Sequence, residues 1–148
     1  MSISKINKTE YTLLKYLGLS LRRSDRGDLL PNLTTKEWMQ ILSVADRHEV
    51  LALLAKVLKP DAIPREQWLT VQSKAARTVH KGIQLQVLNA KLTTLLENQG
   101  IKAVTLKGCA VARFYPVPEF RKTTDIDLFV NNRQDVEKTV QMLTEKGW

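Results

Sequence analysis

The sequence predicts an α+β fold: a helical N-terminal region, then a helix–strand–helix–strand–helix (αβαβα) unit. Three observations carry this. Apolar residues recur at helical spacing as far as Gly100, the period changes there, and two short apolar runs beyond it, 101–106 and 125–130, suit strands. With 148 residues the chain is one domain's worth, divided here into a helical region at 1–82 and a core at 83–148. A hydrophobic fraction of 43% with 26% charged residues supports a real core beneath a solvated surface, which excludes a disordered chain.

The first helix is expected from Leu13, Leu14, Leu17 and Leu21, ending in the loop Ser24–Asp25–Arg26–Gly27–Asp28. Thr34 and Glu37 have the spacing of a capping box, in which hydroxyl and carboxylate satisfy each other's backbone N–H. Trp38, Ile41, Leu42 and Ala45 form the stripe that follows. The polar patch 46–49 interrupts it, and Val50, Leu51, Leu54, Ala55 and Leu58 resume it out of phase, so two short helices or one bent helix are expected. Pro64 suits a helix start. Trp68, Val71, Gln72, Ala75 and Val79 continue at helical spacing, as do Leu85, Leu88, Leu92, Leu95 and Leu96. Gly82 is expected to kink or divide this stretch, and Gly100 to stop it.

Beyond Gly100, residues 101–106 predict a strand, Lys107-Gly108 a turn, and 109–115 a short helix broken by Pro116 and Pro118. In the second strand, 125–130, Ile126, Leu128 and Val130 fall on one face and Asp125, Asp127 and Phe129 on the other. Asn131 or Asn132 can cap a last helix that carries Val136, Val140 and Leu143 and stops at Gly147. There is no internal repeat and no low-complexity segment.

Charge narrows the partners. Residues 1–82 hold 14 Lys and Arg against 8 Asp and Glu, and residues 83–148 hold 9 against 7. This basic balance favours polyanions, nucleic acid or nucleotide phosphates, although cations that merely solvate helix faces give the same count. The apolar stripes leave polar residues all round the rest of each helix, so the cations of 1–82 are expected to scatter rather than form one stripe. No apolar run approaches the ~20 residues of a membrane span. The N-terminus has no apolar signal segment, and the single Cys109 has no partner for an internal disulfide, so a cytoplasmic setting without membrane contact is expected.

Asp125 and Asp127 are the leading candidates for chemistry. Carboxylates two positions apart on a strand point the same way, with Cα atoms ~6.5–7 Å apart, so their oxygens can converge on a hard cation. A bare D-x-D is common by chance at a strand end; here three alternating apolar residues put the motif on the edge of a core. Lys107-Gly108 can bring backbone and positive charge to a phosphate, or be an ordinary glycine turn. Arg121 can clamp a triphosphate through its fork of donors, or lie on the surface. His48, His80 and Cys109 have no metal-ligand spacing, and the histidines are expected to be structural; Cys109 is expected to be packed rather than nucleophilic. Trp38 and Trp68 are expected in the core.

Leu106-Lys107-Gly108, Tyr115-Pro116, Arg121 and Asp125-Ile126-Asp127-Leu128, in that order and spacing, resemble the uncharacterised bacterial nucleotidyltransferase family. The helical stretch 38–58 with its Arg47-His48, and Gly100-Ile101-Lys102-Ala103-Val104, agree, so the resemblance spans residues 34–148. It implies the polymerase-β-like fold and Mg²⁺- or Mn²⁺-dependent transfer of a nucleotidyl group from ATP or another nucleoside triphosphate, with pyrophosphate leaving. It implies Asp125 and Asp127 as catalytic metal ligands, Lys107-Gly108 as the phosphate-side turn and Arg121 as a phosphate contact. The acceptor is not implied. Two features depart from the wider superfamily, which has Gly-Ser at the turn and a third carboxylate on a later strand. Of the later acids, Asp135, Glu137 and Glu145 fall on a helix, and the chain ends where the next strand is expected. It therefore resembles the N-terminal piece of a longer protein, expected to be inactive in this form, with an unpaired sheet edge that invites self-association. Two competing functions are a helical adaptor or nucleic-acid-binding module built on the basic first 82 residues, and a sugar-nucleotide transferase using D-x-D; the short span before the motif argues against the latter.

Overall fold

A computed structural model of the chain describes residues 7–22 and 33–148. In chain order the elements are α1 (Lys8–Leu21), α2 (Thr35–Arg47), α3 (Leu51–Ala55), α4 (Arg65–Asn98), β1 (Ala103–Leu106), α5 (Gly108–Ala112), β2 (Asp127–Val130) and α6 (Arg133–Glu145), with 3-10 turns at Pro60–Ala62 and Pro118–Phe120. The helices lead, and the two strands pair antiparallel, Ala103 opposite Val130 and Leu106 opposite Asp127. This is the α+β order that the sequence predicts. The loop expected at 24–28 lies outside the described residues. No helix among the described residues is long and apolar enough to cross a membrane.

The helix ends follow local chemistry. Thr34 Oγ1 accepts from the Glu37 amide at 3.3 Å while Glu37 Oε2 accepts the Thr34 N–H at 3.0 Å, the predicted capping box. Asn7 and Glu10 make a second box at the start of α1. Asn132 Oδ1 accepts from the Asp135 amide at 2.8 Å and starts α6. At Gly100 (φ 71°) the Gly100 N–H donates to Glu97 O and the Ile101 N–H to Leu96 O, which closes α4 as a Schellman motif. Gly147 (φ 76°) closes α6 in the same way through Leu143 O.

Two cores form, one at each end of α4. At its start, Leu13 and Tyr16 of α1, Trp38, Ile41, Leu42 and Ala45 of α2, and Leu51 and Leu54 of α3 bury against Val71. Tyr16 and Trp38 meet edge to face at 4.9 Å, and Ser20 Oγ donates to Leu53 O at 2.6 Å. At its end, Leu92, Leu96 and Ile101 pack on Ile126, Leu128 and Val130 of the sheet and Met142 and Leu143 of α6. The Thr105 hydroxyl donates to Asn89 Oδ1 at 2.8 Å and ties β1 to α4.

Several expectations change. α4 runs unbroken through Gly82, which faces neither a kink nor solvent: a Cβ there would sit 3.2 Å from Glu119 O and 3.3 Å from Glu119 Cα. The glycine is the seat on which the Pro118–Phe120 turn rests. In α1 the buried positions are Thr12, Leu13, Tyr16 and Ser20, and Leu14 and Leu21 are exposed, because Tyr16 rather than Leu14 meets Trp38. In α6 Thr139 is buried and Met142 and Leu143 pack on the core, whereas Val136 and Val140 are exposed. The region 46–50 resolves as two helices: Glu49 takes φ 60°, which α-helix excludes. The helix expected at 109–115 is Gly108–Ala112, and both histidines, His48 and His80, are exposed.

Leu96 is 0% exposed at the point where helix, sheet and Schellman closure meet, so Leu96→Ala is expected to lower unfolding stability by about 2–5 kcal/mol in a urea titration. Glu37 is held down to about 2 from its ordinary 4.5, first by the Thr34 N–H, then by Lys8 and the Thr34 hydroxyl. The ionised form is the one the fold favours, so its contribution is complete above pH 4.5 and is lost as pH falls toward 2. The difference in urea midpoint between the protein and Glu37→Gln is therefore expected to shrink across that window.

Candidate functional site

The last rung of the sheet, Leu106 opposite Asp127, is where the site begins. Immediately after it the chain reverses through Lys107, at φ 44° and ψ −137°, and enters α5 at Gly108. This backbone region is costly for a residue with a Cβ, about 1–3 kcal/mol, and such strain persists only where the surroundings over-determine it. Here they do. A Cβ on Gly108 would lie 2.9 Å from Thr123 Cγ2 and 3.2 Å from Asp125 O, so only glycine lets the 123–125 segment close onto the turn. Arg121 Nη1 donates to Gly108 O at 3.3 Å and to Thr123 Oγ1 at 3.0 Å, stapling the same two segments.

Asp127 is half-buried on the outer face of the sheet, with Lys107 Nζ 3.6 Å from its Oδ2. Ile126, Leu128 and Val130 turn inward and Phe129 is exposed, so the predicted division of faces holds from Ile126 to Val130. Asp125, expected on the strand, lies in the segment before it and is exposed, its Oδ1 3.4 Å from the Thr124 hydroxyl. The reason is register: β1 has turned away at Lys107, so no residue remains to pair with Asp125. The strand that the sequence places at 101–106 likewise begins at Ala103, because Ile101 is used in closing α4.

The five residues singled out in the sequence thus come together: Lys107 with Asp127, Gly108 with Arg121, and Gly108 against the backbone of Asp125. Among the described residues no group of three or more His, Cys, Asp or Glu side chains is placed to hold a metal ion. On α6, Asp135 is engaged with Asn132, Glu137 with Arg133 at 2.9 Å, and Glu145 with Gln141 at 2.9 Å. Burial pushes the Cys109 thiol up, against weaker lowering by its own backbone N–H and the Arg121 charge, so the thiol is held protonated, in keeping with a packed residue.

Sequence reasoning missed Thr123, which is buried and contacts both Gly108 and Arg121. It also missed the ion pair between Lys122 and Glu49, which joins the site to the α2–α3 turn. Its partners are 73 residues apart, and no local pattern links them. The expected scatter of cations needs one correction: Lys74, Arg77 and Lys81 share one face of α4, because spacings of three and seven residues return to the same side of a helix.

Compared with known proteins, residues 34–148 match the model of a family described as an uncharacterised nucleotidyltransferase. No curated protein and no solved structure matches the chain.

Two substitutions test the turn. Gly108→Ala forces a methyl against a buried side chain and a carbonyl oxygen and is expected to cost about 1–3 kcal/mol in chemical denaturation. Lys107→Gly relieves the positive φ and is expected to raise stability by about 1 kcal/mol in the same measurement.

Proposed function

The chain belongs to the uncharacterised nucleotidyltransferase family, and on that premise we propose that Asp125 and Asp127 hold Mg²⁺ or Mn²⁺ together with a nucleoside triphosphate such as ATP. The observation that supports this reading best is the pairing of Lys107, strained and more than three-quarters exposed, with Asp127 at 3.6 Å. An ammonium at that distance in water contributes little to stability, so a strained turn that presents it argues for a ligand.

The donor set fits a hard divalent ion. Mg²⁺ takes one or two carboxylates and completes its shell with phosphate oxygens and water. When bound, the ion neutralises charge on the phosphates. The chain supplies the rest. Lys107 exchanges its carboxylate partner for a phosphate oxygen. Gly108 keeps the turn flat against the Asp125 segment. Arg121 locks that closure through Nη1 and adds its charge to the phosphate side. The acceptor hydroxyl must lose a proton to a base, and among the described residues no third acid joins the two aspartates. The 148-residue chain therefore binds triphosphate weakly and does not turn it over.

Calorimetric titration with ATP, with and without Mg²⁺, tests this. Weak metal-dependent binding is expected, lost in Asp125→Ala/Asp127→Ala with the circular dichroism unchanged, since neither carboxylate belongs to a core. Equal binding by both proteins would remove the aspartates as ligands. Transfer of labelled nucleotide by this chain alone would overturn its proposed inactivity.

A further inference from the structure

Beside the site, between α3, α4 and residues 122–123, lies a cleft of about 250 Å³. Its charged walls are Lys74, Arg77 and Lys81 of α4 and Lys122 from the opposite side, with Asp46 and Glu49 at the α2–α3 end. The two carboxylates are each engaged: Asp46 with Lys74 at 2.6 Å, and Glu49 with Lys122. Arg77 and Lys81 have no ion-pair partner among the described residues. Four cations against two carboxylates leave two positive charges gathered in a small concavity, where like-charge repulsion disfavours the empty arrangement.

From this we propose that the cleft binds a phosphomonoester group, with Arg77 and Lys81 as its ligands and Lys74 and Lys122 as flanking charges. A phosphomonoester carries about −1.5 to −2 at neutral pH, which matches the surplus, and a guanidinium presents paired donors to its oxygens. The volume falls below the roughly 300–1,000 Å³ of pockets for drug-sized ligands, which suits a phosphate and what it is attached to rather than a whole nucleotide. The position adds a role. Thr123 lines the cleft and also packs its methyl on Gly108, so cleft and turn share a wall. A phosphorylated acceptor anchored there is held beside the turn. That role rests on the nucleotidyl-transfer reading, whereas the binding of phosphate does not.

The probe is inorganic phosphate, titrated calorimetrically in EDTA so that metal and the aspartates play no part. Saturable binding is expected, weakened about 10-fold or more in Arg77→Ala/Lys81→Ala and unchanged in Asp125→Ala/Asp127→Ala. Arg77 and Lys81 are both exposed, so the variant is expected to keep the native circular dichroism. Absence of saturable binding, or equal affinity in Arg77→Ala/Lys81→Ala, would overturn the proposal. So would stronger binding of a single-stranded oligonucleotide without terminal phosphates, lost in the same variant, which would assign the cleft to a nucleic-acid backbone. Failure of ATP to bind with Mg²⁺ leaves this titration unaffected, so the two readings fail separately.

Discussion

The uninterrupted run of α4 is the constraint from which the rest follows. Its 34 residues extend about 50 Å, far more than either core needs, so one rigid rod carries both. Val71 near its start closes the core of α1, α2 and α3, and Leu92 and Leu96 near its end close the core of the sheet and α6. Between them Gly82 gives up its side chain so that the backbone of Glu119 can rest on the rod. Glycine inside a helix costs roughly 1 kcal/mol relative to alanine, and that cost is offset by the close approach it permits. The segment that leads to Arg121, Lys122 and Thr123 is thereby fixed to the same body as the strands.

A second closure depends on the first. Once 121–125 is held, Gly108 can pack under Thr123, Arg121 can bridge the two segments, and Lys107 is forced into its positive φ. Among the described residues only Glu49 and Lys107 carry positive φ without being glycine. Both end on charged partners that belong to the same segment or its neighbour, Lys122 and Asp127. Strain of this kind is sustained by packing elsewhere, and here that packing is the seating of residues 118–125 on α4 and on the turn. The geometry of the candidate site is thus a property of the whole chain rather than of its motif.

Much of this was legible along the chain because it depends on neighbours in sequence. The Thr34–Glu37 box, the Gly100 stop, the cap at Asn132 and the inward face of Ile126, Leu128 and Val130 each involve residues within a few positions, where spacing alone sets geometry. The candidate site residues stood out for another reason: Lys107-Gly108, Arg121, Asp125 and Asp127 stand in an order and spacing that resemble a family's signature, and it is the family, over residues 34–148, that the comparison matches.

What only the tertiary structure decided were the contacts between distant segments. Gly82 reads as a breaker until Glu119 is placed upon it, and Leu14 reads as core until Tyr16 takes the place against Trp38. Asp125 leaves the strand because its opposite number has already turned away, a matter of register between two chains of residues. The cation cluster closes only when Lys122 crosses to α4 and pairs with Glu49. Local periodicity reports which face of an element is apolar; it carries no information on which partner covers that face, because burial and charge pairing are decided by residues far apart in the chain.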